Sequence, residues 1–277
     1  MKLSVVIINH NLCELLQHTL SALVDAGKNI DYEVFIFDNA STDGSIKMIE
    51  SNFPHFHIIA SQKQVGYSKA YNEVINLTTG EYILLVSPDI ISSKKTLERA
   101  IEFMDEHVNS GGLGVRMITP KGSFLSESNR GLSSQWIAFF KLSGLAKYFP
   151  KTRIGDRNRK EWVDEFQTSE VDFINGAFML LRRSALNEIG LFDENFAIYG
   201  HDIDLSYRMR LAGFKNYYFP KTYIINFNVA NTAKLNWQFV KNFYGAMIIF
   251  AVKYLFKMPE IKLDGIQQLP LAYEVER

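Results

Sequence analysis

Two carboxylates, a histidine and an arginine crowd the stretch Tyr199-Gly200-His201-Asp202-Ile203-Asp204-Leu205-Ser206-Tyr207-Arg208. The pattern predicts the start of a helix that runs out at Gly213, with Asp202 in its first turn. The partial positive charge of a helix N-terminus favours an ionised carboxylate there. Such a group near neutral pH can take a proton from a substrate hydroxyl. Asp202 and Asp204 could equally cap the helix. Arg208 stands four residues after Asp204, the spacing of a helical ion pair, which gives Asp204 a structural part. Three more polar groups carry potential chemistry: Asn9-His10, Asp38-Asn39 and Ser87-Pro88-Asp89. His18, His55, His57 and His107 have no partner at metal-ligand spacing and are expected to be packed or solvated.

The elements that must position these groups follow from hydrophobic period. Leu3–Ile8 is a continuous Val/Ile-rich run, as expected of a buried parallel strand. Asn11 with Glu14 reads as a capping box opening a helix with Leu12, Leu15, Leu16, Thr19, Leu20 and Leu23 inward. Strands are predicted at Glu33–Phe37, Phe56–Ala60, Glu81–Val86 and Gly114–Ile118. Helices are predicted from the Asp38–Ser45 loop to about Ser51, over Ser68–Leu77 and over Thr96–His107. Val171–Leu181 reads as one strand with Gly176-Ala177 in its middle, where glycine marks close approach of a ligand or another backbone. A helix over Ser184–Ile189 closes at Gly190, and short strands flank Pro220 at Asn216–Phe219 and Tyr223–Phe227. Strand–helix alternation at this spacing predicts a parallel, doubly wound α/β sheet. Ligands bind such sheets beyond the carboxyl ends of the strands. Asn9-His10, Asp38-Asn39 and Ser87-Asp89 all fall there.

Two regions stand apart. Residues 121–168 carry an aromatic helical patch (Trp136, Ile137, Phe139, Phe140, Leu142, Leu145, Phe149), read as core, followed by a basic, polar and mobile segment over Arg153–Lys160. Leu235–Phe256 reads as a final helix with Trp237, Phe239, Phe243, Tyr244, Ile248 and Phe250 among lysines, followed by a loosely held tail. Its aromatics suit packing on the sheet, a subunit contact in a homodimer, or peripheral attachment to a membrane. Residues 1–230 are expected to form the catalytic domain, with 121–168 as an insertion, and 231–277 a C-terminal helix and tail.

Of 277 residues, 47% are hydrophobic and 22% charged, which suits an ordinary globular core. The formal net charge is zero, so no positive field favours nucleic acid. Cys13 is the single cysteine, which excludes an internal disulfide and fits a reducing, cytoplasmic setting. The apolar run Ser4–Ile8 is too short for the core of a signal peptide, and no segment has the apolar length of a membrane span. No GxGxxG follows the first strand, which argues against a nicotinamide or flavin dinucleotide site.

Ser4-Val5-Val6-Ile7-Ile8-Asn9-His10-Asn11 followed by Phe37-Asp38-Asn39-Ala40-Ser41-Thr42-Asp43-Gly44-Ser45 resembles the opening of the family 2 glycosyltransferases. Gly66-Tyr67-Ser68-Lys69-Ala70-Tyr71-Asn72 is similar to their next block, and Ser87-Pro88-Asp89 sits where their DxD motif falls. Asn175-Gly176-Ala177-Phe178 through Arg183, Gly190-Leu191-Phe192-Asp193-Glu194 and His201-Asp202-Ile203-Asp204-Leu205 resemble the branch that includes bacterial rhamnosyltransferases. The likeness runs in order from Leu3 to Phe227. It implies the GT-A fold, a Rossmann-like mixed sheet with helices on both faces, here with a C-terminal helical extension. It implies inverting transfer of a sugar from a nucleoside diphosphate (UDP or dTDP) to a hydroxyl of a glycan or lipid-linked acceptor, at the cytoplasmic side of a membrane.

Residue by residue, the resemblance implies that Ile8, Asn9, His10, Asp38, Asn39, Lys69 and Ser87 hold the donor. Asp38 would accept from the pyrimidine N–H, as a carboxylate can accept and cannot donate. His10 would lie against the base, Lys69 would reach the base carbonyl or the phosphates, and Ser87 the ribose. Asp89 and Asn226 would ligate Mg²⁺ or Mn²⁺, hard cations that take oxygen ligands. Gly176, Ala177 and His201 would face the acceptor, and Asp202 would be the general base. Two positions depart from the family pattern: His201 stands where Glu is usual, and Asn226 where many relatives carry a histidine. Those departures keep a second reading open, a non-catalytic nucleotide-sugar-binding protein. A nucleotidyltransferase is a third, but the glycine- and lysine-rich triphosphate loop that it needs is not found near the N-terminus.

Overall fold

A computed structural model describes residues 1–144, 165–227 and 237–255. The elements in chain order are β1 (Leu3–Asn9), α1 (Cys13–Ala26), β2 (Tyr32–Asn39), α2 (Ser45–Asn52), β3 (His57–Ser61), α3 (Tyr67–Ile75), β4 (Tyr82–Val86), β5 (Ile90–Ser92), α4 (Thr96–Glu106) and β6 (Ser110–Ile118). They continue with α5 (Glu127–Arg130), α6 (Ser134–Leu142), β7 (Ser169–Val171), β8 (Phe178–Arg182), α7 (Arg183–Ile189), α8 (His201–Leu211), β9 (Lys215–Asn226) and α9 (Trp237–Leu255). Leu145 and Phe149 of the aromatic patch, the basic segment over 153–160 and the tail after Pro259 lie outside the described residues.

The strands form one sheet in the order β3-β2-β1-β4-β8-β6-β9-β5, with β7 on β9. The expectation of a parallel sheet holds for β3, β2, β1 and β4, and again where β6 meets β9. β8 runs antiparallel to both β4 and β6, and β5 and β7 are antiparallel to β9, so the sheet is mixed. The reason is local. Val171–Leu181 is not one strand: β7 ends at Val171, and the chain turns through Asp172–Ala177 before β8 begins. Gly176 and Ala177 therefore sit in a turn at the sheet's rim. The two strands read on either side of Pro220 are a single β9. Its register against β6 shifts between Val115 and Arg116, beside Pro220, where a residue without an N–H is tolerated.

Helices cover both faces. Leu3, Val5 and Ile7 pack with Leu16, Leu20 and Leu23 of α1, Ile49 of α2 and Leu97, Ala100 and Met104 of α4. Val6 and Ile8 point the other way, to Ala70, Tyr71 and Val74 of α3, Leu186 of α7 and Leu205 and Met209 of α8. That alternation, buried on both sides, explains why the strand reads as a continuous apolar run. A third cluster joins Trp136 and Phe140 of α6 to Phe173, Phe196, Ile203 of α8 and Phe243, Met247 and Phe250 of α9. Trp136 and Phe140 are thus core, as expected of the aromatic patch, whereas Leu142 at the end of α6 is exposed. No helix among the described residues is long and apolar enough to cross a membrane.

The expected capping box does not form. Asn11 has a positive φ of 53°, a conformation that Asn tolerates, and so cannot serve as an extended N-cap. Its Oδ1 instead accepts from the Thr42 N–H at 2.7 Å. The first N–H of α1, from Cys13, is capped from across the rim by Asp43 Oδ2 at 2.8 Å. Asp43 Oδ1 accepts from the Ser45 hydroxyl (2.6 Å) and N–H (3.1 Å) at the start of α2. Burial alone would raise the Asp43 carboxyl, but the Ser45 hydroxyl and the Cys13 and Ser45 N–H groups outweigh it and hold it below the usual range. A carboxyl depressed on folding stabilises above its unfolded pKa, and the gain is lost as pH falls through the folded value. Asp43→Ala is expected to cost about 1–2 kcal/mol in urea unfolding at neutral pH. The gap to wild type should shrink as pH drops below about 3.9, the ordinary aspartate value.

Candidate active site

The carboxyl ends of β1 and β4, the turn before β8 and the start of α8 enclose a cavity of about 530 Å³. Of the residues singled out in the sequence, Ile8, His10, Ser87, Asp89, Gly176, Ala177, His201, Asp202 and Asn226 line it. Asn9, Asp38 and Asn39 lie behind that wall at the ends of β1 and β2. Asn9 and Asp38 are opposite each other in register, and the Asn9 amide donates to Asp38 Oδ2 at 3.1 Å. Asp38 Oδ1 accepts from the Ser41 N–H at 2.8 Å, and Asn9 Oδ1 is buried with no partner. Both ends of the Asn39 amide hold the Val65 backbone. The His10 ring sits on the Asn39 carbonyl through Nδ1 at 2.9 Å, with Gln64 on its far side. Lys69 is exposed on α3 and is not part of the cavity wall; Tyr67 and Tyr71 are the α3 residues that are.

Asp89 is the most distinctive of these groups. It is 4% exposed, its Oδ1 has no hydrogen-bond partner, and burial pushes its carboxyl up. An ionised carboxylate with a buried unpartnered oxygen is costly, and either protonation or a bound cation would offset that cost. Asn226 is held beside it by the backbone: Ile90 pairs with Asn226 across β5 and β9, and the Phe227 N–H donates to the Asp89 carbonyl at 3.0 Å. A buried carboxylate oxygen and a neighbouring amide fit a hard divalent ion. No group of three or more His, Cys, Asp or Glu that could hold a metal occurs among the described residues. Asp89 and Asn226 would therefore hold an ion only together with ligands from a bound molecule or water.

Asp202 lies in the first turn of α8, entered through Gly200 at φ 81°. Its Oδ2 accepts from the Gly176 N–H at 3.2 Å and its Oδ1 from the Ile203 N–H at 3.0 Å. The nearest atoms that a Cβ on Gly176 would meet belong to Asp202, with Oδ2 at 3.4 Å, so the turn and the carboxylate lie in ordinary contact. The Ser87 N–H donates to the Ala177 carbonyl at 3.0 Å, tying the end of β4 to that same turn. His201 packs among Tyr67, Tyr71 and Phe192, with ring centroids 6.1, 5.8 and 5.7 Å away. Burial lowers its pKa against the opposing pull of the Asp202 carboxylate, the Ile198 backbone and Asp204. Its Nδ1 is buried with no hydrogen-bond partner. The imidazole is thus held towards its neutral form in the cavity wall.

Sequence reasoning did not assign Tyr67, Tyr71, Tyr199, Glu127 or Asn175 to the site, yet all line the cavity. The i, i+4 spacing of Tyr67 and Tyr71 was the available signal, since it puts both rings on one face of α3. Glu127 comes from a short helix that no periodicity announced.

The profile of glycosyl transferase family 2 matches residues 4–190, more than half of the 277. This chain belongs to glycosyl transferase family 2. Among curated relatives it is similar to the N-acetylglucosaminyl-diphospho-decaprenol L-rhamnosyltransferase of Mycobacterium tuberculosis, with 24% identity over 73% of this chain and 68% of that one. It is also similar to the rhamnosyltransferase WbbL of Escherichia coli K12, with 28% identity over 53% of this chain and 52% of that protein. Among solved structures, Staphylococcus aureus TarS superposes with a TM-score of 0.61 at 19% identity, covering 91% of this chain and 39% of that one. The mannosyltransferase PcManGT of Pyrobaculum calidifontis, in complex with GDP-Man and Mn²⁺, gives 0.59 at 15% identity, covering 83% of this chain and 58% of that one. The chain thus spans about half the length of the solved structures it matches. These likenesses establish the GT-A fold and a rhamnosyltransferase-like member of the family.

Asp89→Asn removes a buried carboxyl whose Oδ1 has no hydrogen-bond partner. Its melting temperature without added metal is expected to equal or exceed that of wild type. Any rise in melting temperature that Mn²⁺ gives wild type in the presence of a nucleoside diphosphate should be absent. Differential scanning fluorimetry of the two proteins checks both halves.

Proposed function

We propose that this family 2 member is a metal-dependent, inverting glycosyltransferase that moves a hexosyl or deoxyhexosyl group. The donor would be a UDP- or dTDP-sugar and the acceptor a hydroxyl of a glycan or lipid-linked saccharide. One observation carries the reading: Asp89 and Asp202, far apart in sequence, face one cavity, the first with a buried unpaired oxygen and the second at a helix N-terminus. The chain's likeness to the mycobacterial and Escherichia coli rhamnosyltransferases supports rhamnosyl transfer, and the decaprenyl-diphosphate-linked acceptor of the mycobacterial enzyme supports a prenyl-diphosphate-linked one here.

The three demands of the reaction map onto the wall. The nucleoside would lie at the ends of β1 and β2, where Asp38 can accept from a pyrimidine N–H, Ile8 and His10 flank it, and Ser87 approaches the ribose. A bound Mg²⁺ or Mn²⁺, held by Asp89 and Asn226, would neutralise charge growing on the departing diphosphate. The described lining residues include Asp89, Glu127 and Asp202 and no Lys or Arg, which supports a metal ion in that part. Asp202 would take the proton of the acceptor hydroxyl as that oxygen bonds to the anomeric carbon and the nucleoside diphosphate leaves from the opposite face. One in-line displacement inverts the anomeric configuration. Neutral His201 can accept from or donate to a second acceptor hydroxyl, and the Gly176–Ala177 turn admits the acceptor close to Asp202. With a prenyl-linked acceptor the chain would work at the cytoplasmic face of a membrane.

Asp202→Asn is expected to lower transfer by about 10²–10⁴-fold. The thermal shift given by UDP or dTDP with Mn²⁺ should be retained. The assay pairs UDP- and dTDP-sugars with prenyl-diphosphate-linked N-acetylglucosamine. Full activity in the variant removes Asp202 as the base. Nucleotide binding by wild type without transfer or donor hydrolysis would favour the non-catalytic alternative.

A further inference from the structure

The wall that carries Ile198, Tyr199, His201 and Asp202 is a loop leading into α8, and its two ends meet on one ammonium group. Lys253 Nζ of α9 donates to Asp193 Oδ2 at 2.6 Å and to Asp204 Oδ1 at 2.7 Å. Asp204 is fully buried. It also accepts from Tyr254 OH at 2.6 Å and, through Oδ2, from Arg208 Nε at 2.8 Å. The remaining Arg208 donors hold the carbonyls of Ile189, Gly190 and Leu191, at 2.9, 3.0 and 2.7 Å. Two cations thus balance two carboxylates, and every link fixes the segment from Ile189 to Asp204. On its far side the loop is fastened to α3: the Ser68 hydroxyl donates to the Phe196 carbonyl (2.5 Å) and the Tyr67 N–H to the Ala197 carbonyl (2.6 Å). A Cβ on Gly66 would sit 2.9 Å from that Ala197 oxygen, so the approach is close.

We infer that Lys253 is a positioning residue for the acceptor side of the cavity: by joining Asp193 to Asp204 it sets where Tyr199, His201 and Asp202 stand. The inference rests on the transferase reading for its catalytic consequence and on geometry alone for the loop. The donor-side residues Ile8, Asn9, His10, Asp38, Ser87 and Asp89 stand at the ends of β1, β2 and β4, and the hydrogen-bond partners of Lys253 come from the loop and α8 instead. Loss of the bridge should therefore separate the two halves of the site. Apolar burial on α9 comes from Phe243, Met247 and Phe250, which remain when Lys253 is changed.

In Lys253→Met, transfer to prenyl-diphosphate-linked N-acetylglucosamine is expected to fall roughly 10- to 100-fold, through a raised acceptor KM and a lowered kcat. The thermal shift with UDP or dTDP plus Mn²⁺ should stay at the wild-type value. Lys253→Arg should recover most of the loss. Asp193→Asn removes one arm without stranding a fully buried charge, so it carries the test if Lys253→Met does not fold. Hydrogen exchange gives a readout free of activity: amides of 195–203 should exchange faster in the variant, with those of β1 and β4 unchanged. Acceptor kinetics within about twofold of wild type, or nucleotide binding lost in step with transfer, overturns the inference. If wild type itself neither binds nucleotide nor transfers sugar, the transferase reading fails. Unchanged exchange over 195–203 then overturns the loop-positioning claim separately.

Discussion

Where β4 meets β8 the sheet changes direction, and the cavity owes its existence to that seam. Parallel strands β1, β2 and β4 all end at one rim, and an antiparallel neighbour must begin there. The turn that starts β8 is thereby brought to the tip of β4, where the Ser87 N–H meets the Ala177 carbonyl. Gly176, one residue earlier, offers its N–H to Asp202. A single change of strand direction thus puts a residue from the end of β4, a turn from the chain's middle and the first turn of α8 within reach of one bound molecule.

The rim is electrostatically incomplete. Asp89 Oδ1 is buried without a hydrogen-bond partner, as are Asn9 Oδ1 and His201 Nδ1. Folded chains satisfy nearly all buried polar atoms, and Asp89 Oδ1 and His201 Nδ1 are two exceptions on residues that line the cavity. The contrast with Asp204 is instructive. That carboxylate is more deeply buried than Asp89, yet both its oxygens are met by donors from Arg208, Lys253 and Tyr254. The two buried aspartates thus differ: Asp204 joins α8 to α9 with both oxygens partnered, whereas Asp89 leaves Oδ1 unpartnered at the cavity. A buried ionic cluster adds little net stability over an apolar one, but its geometry is demanding. That suits a role in fixing the loop ahead of α8 more than a role in stabilising the fold.

Periodicity located most elements because it records burial, and burial was faithful here: Leu3–Ile8, Glu81–Val86 and the helices over 13–26 and 96–106 read directly from the chain. The order of polar motifs at strand ends pointed to the family, and the Asp204–Arg208 pair followed from helical spacing alone. Periodicity could not give the sense of β8, because an apolar run looks alike whichever way it is traversed; the mixed sheet followed only from the family resemblance. The cap on α1 was missed because its acceptor, Asp43, lies a strand and a turn away. Lys69, chosen by likeness, faces solvent, whereas Tyr67 and Tyr71 of the same helix line the cavity.

By itself, then, the sequence determined the fold family and which residue types stand at the strand ends, since both depend on local pattern and chain order. Tertiary structure alone decided that Lys253 joins Asp193 to Asp204 and that His201 is enclosed by aromatic rings. These are contacts between segments remote along the chain. Their formation depends on strand direction, register and the docking of α9, which no local window of residues encodes.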